Sequence, residues 1–283
     1  MRIGYTEFSF GYAFTENLIR SIGTKPKGAP VFPNLIQEAQ LGYDVHIDLP
    51  GCPLFFQYKL PELMVKKSAA EIAKHHLPGM QVRFFRMALM RRDLSQQHQL
   101  LMNLERRFPN RVFYSTPCIE NVRDFNSAYN AAQVHRRSVF FSPRDIGLLP
   151  DNKAHSVAYR GNLRSGYLCS EPRKVSAKTF EDIEKTILKS FHQVRFRTLG
   201  RASEELRKEV LQLLPPQMRQ SEGLVRERIR SRRAGFEDRP ALSPQAEEVV
   251  NEILVSRELV RVGLGLDLLI AQPYTGADSV QEA

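Results

Sequence analysis

The sequence predicts an α/β fold over residues 1–175 and a mostly helical region over residues 176–283. In the first part, short apolar segments of strand length alternate with segments whose apolar residues recur at helical spacing. Gly and Pro residues separate these segments, as they do in turns. From residue 176 onward the helical spacing continues without strand-like segments. We therefore expect a mixed N-terminal domain and a basic helical C-terminal region that packs on it.

The first forty residues predict one helix followed by a loop. Apolar residues between Tyr12 and Ile22 recur at helical spacing and indicate a helix over residues 9–22. Residues 23–30 are rich in Gly, Pro and Lys, which is typical of a loop. Residues 35–40 fit either a strand or a short helix.

Two further segments predict a β-hairpin. Residues 43–49 alternate between apolar and polar side chains, and residues 54–60 are rich in aromatic side chains. Pro50-Gly51 lies between them and is a turn signal. We expect the two segments to be neighbouring antiparallel strands.

The rest of the first part alternates helices with strands. Ser68 and Glu71 have the spacing of a capping box, which predicts a helix that ends near His76. The other elements follow from apolar spacing and turn residues. Strands are predicted at 81–89, 112–115, 139–141, 156–159 and 167–169, and helices at 93–107 and 121–134.

The C-terminal region predicts amphipathic helices and a basic segment. Apolar residues from Phe180 to Phe191 mark one helix, and Ser243-Pro244 has the cap and first-turn proline that begin another. The chain between them is rich in arginine, most densely at Arg226, Arg228, Arg230, Arg232 and Arg233. This run fits either a surface that contacts phosphates or a solvated helix face.

Composition narrows the class of protein. The 283 residues carry a formal charge of +10, which favours polyanionic partners such as nucleic acids. The three cysteines are far apart, so neither a zinc site nor a disulfide framework is indicated. No run of about 18 apolar residues predicts a membrane span, and the first residues do not match a secretory signal. We expect a cytoplasmic protein that does not contact a membrane.

The predicted hairpin brings together residues suited to phosphodiester hydrolysis. Asp44 lies on its first strand, and Gln57 and Lys59 share one face of its second strand because they are two residues apart. Glu38 lies six residues before Asp44. Oxygen atoms of Asp44, Gln57 and Glu38 are suitable ligands for Mg²⁺ or Mn²⁺. A lysine beside such a metal stabilises negative charge on the phosphate.

At these residues the chain resembles the PD-(D/E)XK nuclease superfamily, the restriction-endonuclease-like fold. Its motif is an acid, a short spacer and then acid-x-Lys on the next strand. Asp44 and Lys59 match this motif, and Gln57 stands where Asp or Glu is usual. The run GYDV…FFQYK also resembles the nuclease domains of bacterial anti-phage effectors. The resemblance covers residues 6–60 and extends more loosely to residue 116.

The resemblance implies an αβββαβ core and Mg²⁺-dependent cleavage of DNA. It also implies a glutamate from the first helix, for which Glu16 is the first choice and Glu7 the second. As a defence effector against phage or plasmid DNA, the protein would need restraint by a regulatory or sensor partner, or by oligomerisation. The alternatives are a non-catalytic DNA-binding subunit that keeps the nuclease fold, and a structural subunit. RNA also remains open as the substrate.

Overall fold

The computed structural model describes residues 3–21, 51–162, 164–193, 198–234 and 243–272. Within these ranges the chain forms nine strands. They are β1 (Cys52–Tyr58), β2 (Glu62–Met64), β3 (Phe84–Leu89), β4 (Val112–Pro117), β5 (Ser138–Phe141), β6 (His155–Tyr159), β7 (Ser165–Leu168), β8 (Arg173–Ser176) and β9 (Asp267–Ala271).

The same ranges contain ten helices, of which three are five residues or shorter. They are α1 (Glu7–Ser21), α2 (Ala70–Ala73), α3 (Gln97–Arg107), α4 (Val122–Asn130), α5 (Pro143–Ile146), α6 (Phe180–Gln193), α7 (Leu199–Leu213), α8 (Pro216–Gln220), α9 (Glu222–Ala234) and α10 (Pro244–Leu264). No helix in the described ranges has both the length and the apolar character that a membrane span requires.

Four strands form sheet A in the order β5-β4-β1-β9. β1 is parallel to β4, and Phe55 of β1 lies opposite Val112. β9 is antiparallel to β1 on the other side, and Asp267 lies opposite Phe56. The chain reaches β4 from β1 through α3, as a parallel connection requires.

Five antiparallel strands form sheet B in the order β2-β3-β6-β7-β8. Tyr159 of β6 links sheet B to sheet A. Its hydroxyl donates to the backbone oxygen of Pro117 at 2.9 Å, and its ring packs against that of Phe141 at 5.6 Å. The two sheets therefore share one hydrophobic core.

The two faces of sheet A are covered by different helices. Phe56 and Tyr58 point toward α1, where the ring of Phe14 lies 5.3 Å and 5.4 Å from theirs. Successive side chains of a strand alternate between faces. Phe55 and Gln57 accordingly face the opposite side, where α3, α7 and α10 pack. Strand β1 is thus buried on both faces.

The structure confirms a mixed α/β fold and most of the predicted elements. The helix predicted over residues 9–22 is α1, the strand at 54–60 is β1, and the helix begun by Ser243-Pro244 is α10. The Ser243 side chain accepts the backbone N–H of Ala246, as expected of a cap. Strands β2, β8 and β9 were not predicted, so the C-terminal region contributes a strand to sheet A.

The capping box predicted at Ser68 is wrong. Helix α2 is a single turn that begins after Ala69, and no side chain caps it. The carboxylate of Glu71 is buried and accepts two hydrogen bonds from Arg86 of β3, at 2.8 Å and 2.7 Å. Because Arg86 of β3 binds this carboxylate, the Glu71 side chain is directed away from the N-terminus of α2 and does not cap it.

Candidate active site at the end of strand β1

The carboxyl ends of β1 and β4 meet at one edge of sheet A, which we call the carboxyl edge. The backbone N–H of Lys59 donates to Ser115 of β4 at 2.9 Å. The N–H of Leu60 donates to the carboxylate of Glu7, in the first turn of α1, at 3.3 Å. Since α3 also begins beside Gln57, two helix N-termini meet here. In α/β proteins, ligands bind outside the carboxyl ends of parallel strands.

Gln57 lies at this edge with its amide group buried. Its side chain is 7% exposed, and its Oε1 accepts a hydrogen bond from Nε2 of Gln97 at 2.7 Å. Its own Nε2 donates to the backbone oxygen of Tyr58 at 3.4 Å. An amide oxygen has two lone pairs, so one remains for a second partner.

Gln97 connects Gln57 to the end of α10. Its Nε2 also donates to the backbone oxygen of Leu264, the last residue of α10, at 3.3 Å. The next residue, Gly265, has a φ of +68° and ends the helix in the left-handed conformation. A Cβ atom on Gly265 would lie 2.9 Å from Nε2 of Gln97, the end of a flexible side chain, so the positive φ is the main reason for a glycine here.

Lys59 is the cation at the carboxyl edge. It follows Gln57 by two residues, and its backbone still pairs with β4, so strand alternation places it on the same face as Gln57. The side chain is partly exposed, and among the described residues it forms no ion pair.

The structure separates Glu16 from Gln57. Glu16 belongs to α1, which covers the opposite face of sheet A, and it is only 5% exposed. Its carboxylate pairs with Arg20 and accepts a hydrogen bond from Asn17 at 2.8 Å. Glu7, the second choice from the same helix, is instead exposed at the carboxyl edge. Its carboxylate accepts the N–H of Leu60, the residue that follows Lys59.

Asp44 and Glu38 lie outside the described residues, and so does the first strand of the predicted hairpin. The described neighbours of β1 are β4 and β9. β9 pairs with Cys52–Phe56 and β4 pairs with Phe55–Tyr58. A hairpin partner along the length of β1 would therefore compete with one of these two strands.

Asp267 is an acidic residue next to β1 that no sequence motif indicated. It lies opposite Phe56 and so faces α1 rather than Gln57. Burial raises the pKa of Asp267, and the nearby Arg257 and Arg261 act in the opposite direction. Gly265 and the apolar segment after it were the available sequence signals for a helix end followed by a strand.

The Gln57 amide oxygen is the type of ligand atom that a hard cation such as Mg²⁺ binds. Within the described ranges, no three His, Cys, Asp or Glu side chains lie close enough to hold a metal ion. Asp44 and Glu38, the carboxylates predicted as metal ligands, lie outside these ranges, and Glu7 is the described carboxylate that contacts the edge.

No protein-family model, curated protein or solved structure matches the chain. The functional interpretation therefore depends on the residues and on their arrangement.

Proposed function

We propose that the protein is a metal-dependent endonuclease that hydrolyses DNA at the carboxyl edge of sheet A. The observation that carries the proposal is the position of Lys59. It follows Gln57 at the end of a central strand, beside a parallel strand, and has no ion pair among the described residues. The formal charge of +10 also favours a polyanionic substrate.

The order of the elements supports a restriction-endonuclease-like core. Helix α1 precedes β1, and α3 leads from β1 to the parallel strand β4. This order is the one expected for the helix, the lysine-bearing strand, and the following helix and strand of an αβββαβ core, with β2, α2 and β3 inserted between β1 and α3. Asp44, the first acid of the motif, lies in the chain between α1 and β1, outside the described residues.

The chemistry assigned to this edge is attack of water on phosphorus, with cleavage of one P–O ester bond. Lys59 stabilises the negative charge that develops on the phosphate oxygens. Asp44, Glu38 and Gln57 would hold Mg²⁺ or Mn²⁺, and Glu7 replaces Glu16 as the candidate from the first helix. The bound metal would polarise a phosphoryl oxygen and acidify a water molecule.

The defence context belongs to the same proposal. A nuclease of this kind, acting on phage or plasmid DNA, requires control by a sensor protein or by oligomerisation. The support is the resemblance of GYDV…FFQYK to anti-phage effector nucleases.

The engagement of Gln57 favours a second candidate, a DNA-binding subunit without catalysis. Its amide replaces the usual acid and is already hydrogen-bonded on both of its polar atoms. Loss of one anionic ligand weakens binding of a divalent cation. A protein of this kind would bind DNA through the same edge without cutting it.

Plasmid cleavage tests the proposal. The purified protein is incubated with plasmid DNA and Mg²⁺ or Mn²⁺, alone and with the proteins encoded beside it, and EDTA provides the metal-free control. We expect Lys59→Ala and Asp44→Ala to lower the rate about 100-fold. Lys66→Ala, which removes an exposed lysine after β2, is the matched control and should retain the full rate.

Three outcomes decide between the candidates. Cleavage that survives both Lys59→Ala and Asp44→Ala would remove the active-site assignment. Binding of DNA without cleavage under every condition would favour the second candidate. A parallel reaction with single-stranded RNA determines whether DNA is the preferred substrate.

A further inference from the structure

His155 and Ser170 face each other across two antiparallel strands of sheet B. Continuing the pairing register of β6 and β7 toward the turn places His155 opposite Ser170. The backbone N–H of Cys169 still donates to the oxygen of Ser156 at 2.9 Å, so the two strands remain together up to this point. The His155 side chain is completely buried, whereas Ser170 is exposed in the turn between β7 and β8.

The hydrogen bonds of His155 define its tautomer. Its Nε2 lies 3.0 Å from the backbone oxygen of Asp151, which only accepts, so this nitrogen carries the hydrogen. In the neutral ring the other nitrogen, Nδ1, is then an acceptor. Nδ1 lies 2.8 Å from Oγ of Ser170 and therefore accepts the hydroxyl hydrogen. This direction makes His155 a base toward an exposed serine.

The carboxylate of Asp151 lies beside the same ring. Its Oδ1 is 3.3 Å from Nε2 of His155 and also accepts the backbone N–H two residues later at 2.7 Å. Two arginines hold the neighbouring Asn152. Arg91 donates to its backbone oxygen and Arg92 donates to its side chain, each at 3.0 Å. The carboxylate is therefore fixed where it stabilises a positive charge on His155.

A second buried histidine, His98, shows what distinguishes this group. Its Nε2 also bonds a backbone oxygen, that of Gly147 at 2.7 Å, and its Nδ1 also bonds a hydroxyl, that of Tyr114 at 2.9 Å. The Tyr114 hydroxyl lies in the core, however, and no carboxylate among the described residues bonds the His98 ring. Of these two histidines, only His155 joins an exposed hydroxyl to a carboxylate.

We propose that Ser170 and His155 form a second catalytic site, positioned by Asp151, which hydrolyses carboxylic esters and acts independently of the carboxyl edge. Oγ of Ser170 attacks the carbonyl carbon while its proton passes to Nδ1 of His155. The protonated ring gives this proton to the leaving alcohol as the C–O ester bond breaks. Water, deprotonated by His155, then attacks the acyl group, releases the carboxylic acid and restores Ser170.

The same turn supplies donors for the negative oxygen that forms during this attack. No backbone oxygen among the described residues accepts the N–H groups of Ser170 and Glu171. Backbone N–H groups at and after a nucleophilic serine are the usual donors to such an oxyanion. The turn thus carries both the nucleophile and two free donors next to it.

Labelling with a fluorophosphonate, which bonds covalently to an activated serine with loss of fluoride, tests this site. Mass spectrometry of the digested protein identifies the modified residue. We expect labelling of Ser170 that is absent in Ser170→Ala and about 100-fold slower in His155→Gln. Ser176→Ala, which removes an exposed serine of β8, is the matched control and should keep the full rate.

Two substitutions of Asp151 test its positioning role. Asp151→Asn keeps the backbone oxygen that bonds His155 and removes only the charge, so it should slow labelling of Ser170 about tenfold. Asp151→Glu restores the charge and should recover most of the rate. Hydrolysis of p-nitrophenyl acetate in the presence of EDTA gives a second readout, in which Ser170→Ala should show only the uncatalysed rate. Urea unfolding confirms that each variant is folded.

These measurements do not involve DNA, so their outcome is separate from that of the plasmid assay. If Ser170 of the folded protein is not labelled, or if Ser176 is labelled at the same rate, Ser170 is not activated and the inference fails. Equal labelling in a folded His155→Gln variant would also overturn it. Should His155→Gln not fold, ester hydrolysis decides: a rate in Ser170→Ala equal to that of the unsubstituted protein would show that this serine is not the nucleophile.

Discussion

Basic residues in two regions of the molecule differ in whether they pair with acidic side chains. Where α9 packs against α10, arginines face glutamates: Arg226 pairs with Glu252 at 2.6 Å, and Arg233 pairs with Glu247 at 2.8 Å. Arg230 pairs with Glu248 at 3.1 Å. At the carboxyl edge, Lys59 has no such partner among the described residues.

This difference shows that the density of basic residues in a sequence is a poor guide to a nucleic-acid surface. The arginine run of α9 carries more charge than any other segment of the C-terminal region, yet three of its arginines are neutralised by α10. Their role is to hold two helices together. Among the described residues, Lys59 differs from these arginines in having no acidic partner.

The largest expected effect comes from replacing one residue of each region by alanine and comparing the two variants in one experiment. Lys59→Ala should lower DNA cleavage about 100-fold while changing the free energy of unfolding by about 1 kcal/mol or less. Arg226→Ala should show the reverse, a clear loss of stability with little change in cleavage by the folded protein. Cleavage rate and urea unfolding are measured on the same preparations. Equal losses of cleavage in both variants would break the comparison.

The buried His135 tests how a core residue without a hydrogen-bond partner among the described residues affects stability. Its ring is fully buried against Phe180, at 4.7 Å between centroids, and neither nitrogen has a hydrogen-bond partner among the described residues. Burial, aided by the neighbouring Arg136 and opposed by Glu181, lowers the pKa of His135 from 6.5 to about 4. The folded protein therefore resists protonation in a range where the unfolded chain accepts it.

Stability should consequently fall as the pH drops from about 6.5 to about 4, and this loss should level off below that range. At 1.36 kcal/mol per pH unit over this range, the loss from His135 is on the order of 3 kcal/mol. Urea unfolding at several pH values measures it. His135→Leu removes the titrating group and should flatten the dependence, whereas an unchanged slope in this variant would assign the effect to other groups.

A smaller effect is expected at Arg233, which is 5% exposed and donates two hydrogen bonds to Glu247, at 3.1 Å and 2.8 Å. Removing the guanidinium leaves Glu247 without these bonds, which costs about 2 kcal/mol. We expect Arg233→Ala to lower the free energy of unfolding by that amount without changing the salt dependence of DNA binding. A weaker salt dependence would indicate that Arg233 contacts phosphate after all.

The sequence predicted those parts of the fold that have a strong local pattern. α1, β1 and α10 have regular apolar spacing or a clear cap, and all three are present. β8 was missed because three of its four side chains are exposed, so its residues do not alternate. β9 was missed because its partner, β1, lies near the other end of the chain, and no local pattern reports such pairing.

The same limit applies to the candidate site. Strand periodicity predicts that Gln57 and Lys59 share a face. It was not enough to choose between Glu7 and Glu16, because that choice depends on which side of α1 packs on Phe56. The contact of Gln57 with Gln97 joins residues 40 positions apart, and the contact of Gln97 with Leu264 spans 167 positions. Neither follows from the spacing of a motif.

The smallest expected effect is at Arg228, in the same helix as Arg226 and Arg233. Arg228 is exposed and has no ion pair among the described residues. Surface substitutions of this kind change stability by about 0.5 kcal/mol or less. We expect Arg228→Ala to fall within that limit in urea unfolding, in contrast to Arg233→Ala five positions later. Because both substitutions remove one positive charge from one helix, the contrast separates the effect of net charge from that of pairing and burial. A loss at Arg228 as large as that at Arg233 would mean that total charge, rather than pairing with α10, determines how arginines stabilise this region.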